Sequence, residues 1–374
     1  MSKTNSIDRR SFVTRATGAV AGAAALGACA GDDAAAPAVH TQPSVRWRLA
    51  SSFPRSLDTL YGINDYLTER ISQMTDGRFT IRPYPAGEIV PGLQVLDAVQ
   101  QGTVQLGNTS SYYYTGKNPA LAFDTGVPFG LTTRQQFAWL YEGGGLELVR
   151  EMFSDFNIIN FPAGSTGAQM GGWFRRPITQ LSDLGGLKMR IPGLGGEVMS
   201  RLGVAVQVLA GGEIYQALER GAIDATEWVG PHDDERLGLH QVANNYYSPG
   251  WWEPGPTLAF YVNRDAWDTL PTSYQEILRG ATMEAAMTMT ARYDTLNPQA
   301  LERLIAGGVQ LHNFPRDILE AAYRVSFDLY EEQASASPSY RKLYDHWKQF
   351  RTASYRWFRT VETEYTSFAF EYGD

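Results

Sequence analysis

Short apolar runs alternate with helix-length segments over most of the chain, from about residue 44 to residue 335. Apolar runs of four to eight residues are typical of buried strands, whereas the longer segments carry apolar residues at helical spacing. This alternation predicts an α/β fold built from βαβ units with parallel strands. In open sheets of that kind, ligands bind at the carboxyl ends of the strands. Polar residues that directly follow a predicted strand are therefore candidate site residues.

The segment from Asp183 to Pro231 places three such residues at predicted strand ends. Its predicted elements are a strand over 187–192, a helix over 196–202, a strand over 204–209, a helix over 212–221 and a strand over 223–228. Arg190 lies near the end of the first strand, and Glu227 and Trp228 lie at the end of the last one. We expect these three side chains to line one cleft. The order of elements does not say what the cleft binds.

Four motifs of this segment are MRIPG (189–193), LGV (202–204), GEIYQAL (212–218) and GAIDATEW (221–228). In this order and at this spacing they resemble the extracytoplasmic solute-binding proteins of tripartite TRAP transporters, the DctP family. The likeness runs from about Trp47 to the C terminus. It is strongest for the branch that binds small 2-oxo or 2-hydroxy monocarboxylates, such as α-keto acids and lactate, together with a cation. It implies an α/β, two-lobed fold of the periplasmic-binding-protein type, with hinge strands and a long C-terminal helix.

The resemblance implies which residues hold the ligand. Arg190 would grip a carboxylate in a bidentate fork, a geometry that a guanidinium offers and a lysine does not. The expected ligand-binding residues are Gln169, Arg190, Asn108, Thr109, Ser110 and Trp228. Gln169 lies in a strand-like segment flanked by glycines, where backbone approaches a ligand closely. A glutamine there, rather than a second arginine, indicates a ligand with one carboxylate and disfavours dicarboxylates.

A bound cation at the same site is also implied by the resemblance. The expected cation ligands are the side chains of Gln169, Glu227 and Glu253 and the main-chain carbonyl of Trp228. Such an all-oxygen set suits Na⁺ or Ca²⁺ and argues against zinc. Glu227 in front of Trp228 favours the cation-using branch, because many binders of other acids have an asparagine in this region and need no ion. The sequence does not choose between the two ions.

The expected domain organisation combines an export signal with two lobes. Residues 1–30 form a twin-arginine signal peptide, 31–43 a linker, 44–167 and about 256–300 lobe I, 168–255 and about 301–335 lobe II, and 338–374 a C-terminal helix. The Arg9-Arg10 pair precedes an Ala- and Gly-rich stretch, which predicts twin-arginine export to the periplasm. Cys29, the single cysteine, follows LGA and resembles a lipobox. Lipid attachment at Cys29 therefore competes with ordinary cleavage near Ala28 or Ala30.

The tail from Pro338 to Phe368 is crowded with Tyr, Trp and Phe. An aromatic stripe on a terminal helix is most often core or interface. In the relatives that the chain resembles, this extra helix exchanges between two protomers, which implies a homodimer. The other partners that the resemblance implies are the TRAP membrane subunits.

Other function classes find less support in the residues. A net charge of −8 without a basic patch argues against nucleic acid binding. One alternative is a metal-dependent periplasmic enzyme acting on a 2-oxo acid, but the chain has no GxSxG, HExxH or Walker motif. We therefore expect no enzymatic activity. A second alternative, a ligand-sensing partner of a membrane receptor, would use the same pocket.

One further run of polar residues suggests a metal site at first sight. It consists of His232, Asp233, Asp234 and Glu235. Adjacent residues on a helix point in different directions, so we do not expect all four to reach one ion. Acidic residues in a first turn more often complement the helix dipole.

Overall fold

The computed structural model describes residues 42–372, so the signal peptide, Cys29 and most of the linker lie outside it. Within this range two sheets are formed by β1 (Val45–Ser51), β2 (Phe79–Tyr84), β3 (Leu106–Thr109), β4 (Ile158–Ser165), β5 (Trp173–Phe174), β6 (Lys188–Arg190), β7 (Ala205–Gln207), β8 (Ala225–Thr226), β9 (Asn245–Ser248), β10 (Thr257–Asn263) and β11 (Gln310–Asn313). The first sheet has the order β2-β1-β3-β10-β4, and the second has the order β11-β9-β5-β8-β6-β7. The mixed α/β class predicted from the sequence is therefore confirmed.

The helices of the described range surround these sheets. They are α1 (Gly62–Met74), α2 (Val95–Gln100), α3 (Ala122–Thr125), α4 (Thr133–Tyr141), α5 (Gly145–Phe153), α6 (Gly193–Arg201), α7 (Ile214–Glu219), α8 (Pro231–Arg236), α9 (Arg264–Asp268), α10 (Thr272–Ala306), α11 (Arg316–Ala336), α12 (Pro338–Phe358) and α13 (Glu364–Glu371). A π-helical turn joins α12 to α13, so the expected long C-terminal helix is present. Among these helices, none is both long and apolar enough to cross a membrane.

The prediction of parallel strands is only partly correct. β1 pairs in parallel with β2 and β3, and β6 pairs in parallel with β7 and β8. In contrast, β10 is antiparallel to β3 and β4, and β5 is antiparallel to β8 and β9. β5, β10 and β11 are the strands with which the chain enters one sheet from the other. No helical crossover within the same sheet precedes them, so their direction is not fixed as parallel, and β11 pairs in parallel with β9 whereas β5 and β10 are antiparallel to their neighbours.

The apolar spacing of residues 133–153 predicts one helix, and this prediction is wrong. The chain forms α4 and α5 there, with Gly144 between them at a φ of 81°. A left-handed residue cannot continue a right-handed helix, and glycine adopts that conformation without steric cost. In the opposite sense, α10 runs unbroken through Pro298, where the sequence pattern indicates two consecutive helical stretches.

Candidate functional site

Two polar residues meet at the carboxyl ends of neighbouring parallel strands. Arg190 is the last residue of β6, opposite Thr226 of β8, and Glu227 follows β8 directly. Arg190 is 1% exposed and Glu227 is fully buried. Arg190 Nη1 donates a hydrogen bond to Glu227 Oε1, and the Trp228 ring lies 5.1 Å from Arg190 Cζ. The structure thus brings together the three residues that the strand-end rule selects.

Close approach of β5 to β8 fixes the backbone at this point. Gly172 precedes β5 with a φ of 84°, and a Cβ there would lie 2.3 Å from the carbonyl oxygen of Thr226. Only glycine lets the two strands pair just before Glu227. Arg190 is held from the other side, because its Nε donates to the carbonyl oxygen of Leu209 at 3.1 Å. The guanidinium is therefore fixed before any ligand arrives.

Gln169 and Glu253 approach the same place from two irregular connections. Gln169 does not lie in a strand, contrary to expectation, but in the loop between β4 and β5, where Gly167 and Gly172 have positive φ values. Its main-chain N–H donates to the carbonyl oxygen of Glu253 at 3.1 Å. The Tyr112 hydroxyl donates to Glu253 Oε2 at 3.3 Å. Both predicted cation ligands are thereby fixed to one another.

Several buried polar atoms of this group have no hydrogen-bond partner. They are Gln169 Oε1, Arg190 Nη2, Glu227 Oε2 and Trp228 Nε1. Most buried polar groups in proteins are paired, and an unpaired one costs about 1–3 kcal/mol. Here a guanidinium donor and two oxygen acceptors remain free in one place. A ligand with a carboxylate and a cation would satisfy both kinds of atom.

Electrostatics at the site favour a cation. Burial raises the pKa of Glu227 to about 7, an effect that Arg190 opposes and Asp234 reinforces. Burial and then the charge of Glu227 raise the pKa of Glu253 well above its usual range, with Arg190 opposing. One guanidinium thus serves two buried carboxyl groups. The donor set contains oxygen atoms and no sulfur or imidazole nitrogen, so it fits Na⁺ or Ca²⁺.

A small, partly open cavity adjoins these atoms. Its lining comes from both sheets and consists of Phe53, Leu60, Ser110, Tyr112, Tyr113, Thr166, Gln169, Arg190, Trp228, Val229 and Leu258. Its volume is about 10 Å³, which is roughly the room that one water needs. Burial raises the pKa of Tyr113 to about 12, although neighbouring Arg190 opposes the shift. Tyr113 is therefore a neutral hydroxyl at physiological pH.

The turn after β3 contributes to the cavity differently from expectation. Ser110 lines the cavity, but Asn108 and Thr109 do not. Thr109 Oγ1 instead accepts a hydrogen bond from Ser52 Oγ at 2.6 Å and lies 2.9 Å from the Tyr114 hydroxyl, within the first sheet. Asn108 Oδ1 accepts from Ser51 Oγ at 3.3 Å, and its Nδ2 is buried without a partner. Both residues therefore hold the end of β3 in place and do not face the cavity.

Sequence reasoning missed several residues that line the cavity. They are Phe53, Leu60, Tyr112, Tyr113, Thr166, Val229 and Leu258. Phe53 is the second residue after β1, but it is apolar, so a rule that selects polar residues at strand ends does not select it. Tyr112 and Tyr113 belong to a 3₁₀ turn, and their inward direction depends on that turn. Thr166 is selected by no sequence signal that we recognise.

The acidic run of α8 divides among different partners, as its helical spacing predicts. Tyr293 donates to Asp233 at 2.7 Å, Trp173 donates to Asp234 at 2.9 Å, and Arg303 pairs with Glu235. The four residues therefore do not converge on one ion. His232 Nε2, however, lies 2.8 Å from Oδ1 of Asp58, which belongs to the connection after β1 of the first sheet.

An α/β chain with two sheets, a buried arginine and an oxygen-only ligand set between them belongs to the class of solute-binding proteins. The family model described as bacterial extracellular solute-binding protein, family 7 (DctP) matches residues 50–336. The chain belongs to this family. Its relatives are named as binding proteins and not as enzymes.

Similar proteins extend the comparison over most of the chain. The monocarboxylate 2-oxoacid-binding periplasmic protein of Nostoc sp. (strain PCC 7120) is 60% identical over 327 residues, which are 87% of this chain and 90% of that protein. A TRAP transporter solute-binding protein from Bordetella bronchiseptica, solved with calcium and picolinate, is 47% identical with a TM-score of 0.87, covering 88% of this chain and 98% of that chain. A TRAP periplasmic solute-binding protein from Pseudoalteromonas atlantica, solved with sodium and pyruvate, is 38% identical with a TM-score of 0.84, covering 87% and 99%.

Proposed function

We propose that this protein is the periplasmic receptor of a TRAP transporter for a small 2-oxo or 2-hydroxy monocarboxylate, bound together with Ca²⁺ or Na⁺. The observation that carries the proposal is the set of unpaired atoms at one buried place, with Arg190 Nη2 as donor and Gln169 Oε1 and Glu227 Oε2 as acceptors. A ligand carboxylate would accept a hydrogen bond from Arg190 Nη2, and a cation would be bound by the oxygens of Gln169 and Glu227. Among relatives over most of the chain's length, one is named as a monocarboxylate 2-oxoacid-binding protein and one was solved with sodium and pyruvate. A third was solved with calcium and picolinate, which is also a monocarboxylate.

Within this proposal each site residue has a definite task. Arg190 binds the ligand carboxylate, and its contact with Glu227 fixes the direction of the guanidinium. Glu227, Glu253, Gln169 and the main-chain carbonyl of Trp228 hold the cation. The cation in turn contacts the carboxylate and the 2-oxo or 2-hydroxy oxygen of the ligand.

Charge balance explains why the ligand and the cation belong together. Two glutamates and one ligand carboxylate face one guanidinium, and a divalent ion makes the sum zero whereas a monovalent ion leaves one negative charge. Burial of an unbalanced charge is costly. Ser110 would contact the ligand, because it lines the cavity. Asn108 and Thr109 would act on the ligand indirectly, by holding the turn after β3 in place.

Release to the membrane subunits requires the cavity to open. Lobe I (44–167 and about 256–300) carries the strands of the first sheet, and lobe II (168–255 and about 301–335) carries those of the second. The cavity lies between residues of both sheets and is too small for free exchange of a ligand. We therefore propose hinge motion between the lobes, driven by ligand binding.

Export and assembly complete the proposal. Residues 1–30 direct the chain through the twin-arginine route, and the mature N terminus is either lipid-modified Cys29 or a residue near Ala28 or Ala30. Replacement of Arg9 and Arg10 by lysine should block export, and the intact mass of the mature protein distinguishes the two N termini. The C-terminal helix, 338–374, joins two protomers into a homodimer.

Calorimetric titration of the mature protein tests the ligand and the cation together. After chelation and dialysis, we expect no binding of pyruvate or lactate until Ca²⁺ or Na⁺ is restored. Succinate serves as a matched dicarboxylate control and should not bind. Pyruvate binding that survives both chelation and dialysis into a buffer free of Na⁺ would contradict the cation's role. Preferential binding of succinate would contradict the ligand class.

A further inference from the structure

A second group of metal-ligating side chains lies outside the cavity lining described above. Asp58 belongs to the connection after β1, whereas His232 and Asp233 are in the first turn of α8. One ligand atom from each of the three residues lies within 4.8 Å of the other two. His232 Nε2 and Asp58 Oδ1 are 2.8 Å apart. The group thus joins the connection after β1 of the first sheet to the helix after β8 of the second sheet.

Asp233 is the member of this group that most needs a cation. It is fully buried, and Oδ2 accepts a hydrogen bond from the Tyr293 hydroxyl at 2.7 Å while Oδ1 has no partner. Asp234 and Asp58 add negative charge around it, and Arg236 is the nearby basic group. A buried carboxylate oxygen without a hydrogen-bond partner is unfavourable, and a bound cation would offset that cost.

The group is open to solvent on one side. The Asp58 side chain is 48% exposed, and Asp58 and Thr59 line an open cleft of about 790 Å³ along α10. Thr59 Oγ1 is also buried without a partner. An ion with its water shell can therefore reach Asp58 from the cleft, whereas His232 and Asp233 are buried behind it.

We propose that Asp58, His232 and Asp233 form a second metal site, for a transition-metal dication of the Zn²⁺ class. One imidazole nitrogen and two carboxylate oxygens suit Zn²⁺, whereas Ca²⁺ and Na⁺ favour oxygen-only sets. Three protein ligands leave a fourth position for water from the cleft. A tetrahedral ion holds its ligands about 3.3 Å apart. His232 Nε2 and Asp58 Oδ1, which are 2.8 Å apart, would have to separate by about 0.5 Å, and ligand atoms of the group that are farther apart, up to 4.8 Å, would have to approach.

Arg236 opposes the ion from one side, and Arg292 lines the cleft beside Asp58. Arg236 Nη2 pairs with Asp58 Oδ2 at 3.0 Å, and its Nε donates to the carbonyl oxygen of Ser56. Asp58 Oδ1 remains available to the metal, and the Arg236 side chain is 39% exposed, so it can turn toward solvent. Metal binding would then replace one interaction between the two segments by a stronger one.

Zinc titration of the tag-free protein in excess Ca²⁺ tests this site. Excess Ca²⁺ keeps the oxygen-only site filled, so any Zn²⁺ uptake reports other residues. We expect one Zn²⁺ per chain, and a loss of affinity of about tenfold or more in His232→Gln and in Asp233→Asn. His312→Gln is the matched control, since His312 is a half-buried imidazole of β11 that bonds to Asn245. It should bind Zn²⁺ as the wild type does.

Co²⁺ gives a second readout that does not depend on affinity alone. Co²⁺ bound by one nitrogen and two oxygens in a tetrahedral site has strong visible absorption bands, which His232→Gln should abolish. If Asp233→Asn fails to fold, Asp58→Asn at the exposed ligand replaces it. Absence of Zn²⁺ uptake by the wild type, or equal uptake by the wild type and His232→Gln, would overturn the proposal.

Discussion

Arg190 and Glu227 form a buried ion pair across the ends of two neighbouring parallel strands, and each keeps one terminal atom without a partner. The pair therefore leaves hydrogen-bonding capacity unused on both partners. Arg190 Nη2 remains a donor and Glu227 Oε2 remains an acceptor, and both belong to groups held in place by the sheet. Preorganisation of this kind lowers the entropic cost of binding a small ligand.

Replacement of Arg190 by lysine should lower ligand affinity while leaving the fold intact. Lysine keeps the positive charge beside Glu227 but cannot offer two parallel N–H donors. We expect an affinity loss of roughly 10- to 100-fold, because charge-assisted hydrogen bonds contribute about 1.5–3 kcal/mol each. Calorimetric titration with pyruvate in saturating Ca²⁺ measures the change.

The control for this variant is Arg201→Lys on α6, where Arg201 makes exposed ion pairs with Glu197 and Glu332. It should bind pyruvate as the wild type does. Arg190→Ala is a less clean variant, because it leaves Glu227 buried without its partner, at a cost of about 3–5 kcal/mol. Unchanged affinity in a natively folded Arg190→Lys protein would exclude bidentate binding of the ligand carboxylate by Arg190.

Glu253→Gln should uncouple the protein from the cation. Glu253 and Glu227 are two buried acids near one guanidinium, so removal of one charge relieves repulsion in the cation-free protein. We expect an equal or higher melting temperature after chelation, and a Ca²⁺-induced rise in melting temperature that is lost or strongly reduced. Differential scanning calorimetry with and without Ca²⁺ measures both values.

Glu197→Gln on α6 is the matched control, because that carboxylate is half-exposed and lies outside the cavity lining. Its melting temperature should respond to Ca²⁺ as the wild type does. A wild-type Ca²⁺ response in Glu253→Gln would show that Glu253 is not a cation ligand. Glu227 and Gln169 would then be the side chains that bind the cation.

Strand periodicity alone was enough to place Arg190, Glu227 and Trp228 together. Parallel strands present their carboxyl ends at one edge, so residues that are distant in sequence become neighbours there. Gln169 and Glu253 lie in irregular connections, whose path depends on contacts between the loops. The family resemblance selected them as cation ligands, with support from the glycines around Gln169 and from the tryptophans that precede Glu253.

The wrong predictions about the helix over 133–153 and about the cavity lining also have local causes. Gly144 interrupts an apolar pattern that continues on both sides, so periodicity predicts one helix where the backbone makes two. The turn that directs Tyr112 and Tyr113 into the cavity is a 3₁₀ helix of four residues, too short for a pattern. Asn108 and Thr109 follow the strand-end rule in position, but their side chains bond within their own sheet.

Asp124→Asn should stabilise the protein at neutral pH and not at acidic pH. Asp124 is 2% exposed and accepts a hydrogen bond from Asn160 Nδ2 at 2.7 Å. Burial raises its pKa to about 6, while hydrogen bonds from Ser111 and Asn160 and the charge of Arg150 oppose the shift. The folded state thus holds a proton that the unfolded chain releases at about pH 4.

The sign of the pH effect follows from that difference. The stability contributed by protonated Asp124 is fully present below about pH 4 and is lost as pH rises through about 6, to an extent of about 3 kcal/mol. Asparagine imitates the protonated form, so the advantage of Asp124→Asn should grow between these two pH values. Urea unfolding at pH 4, 5, 6 and 8 measures the difference. A constant difference across this range would contradict the shifted pKa.

Glutamate substitutions on the C-terminal helix should dissociate the proposed dimer. Trp357, Val361, Tyr365 and Phe368 recur every three or four residues, and Tyr365 and Phe368 are 71% and 65% exposed. Soluble monomers rarely expose a continuous apolar stripe, and such stripes usually mark an interface. Burial of a large apolar side chain stabilises by about 1.5–3 kcal/mol. Tyr365→Glu with Phe368→Glu removes four such side chains from a symmetric dimer, so its dissociation constant should rise by about three orders of magnitude or more.

Analytical ultracentrifugation of the mature protein checks this expectation over a range of concentrations. The wild type should sediment as a dimer and the double variant as a monomer. Ser367→Glu adds a charge to the same helix away from the stripe and should leave the dimer intact. Because the stripe is remote in sequence from Arg190 and Glu253, the monomeric variant should still bind pyruvate with Ca²⁺. A monomeric wild type would exclude the dimer while leaving the ligand site untouched.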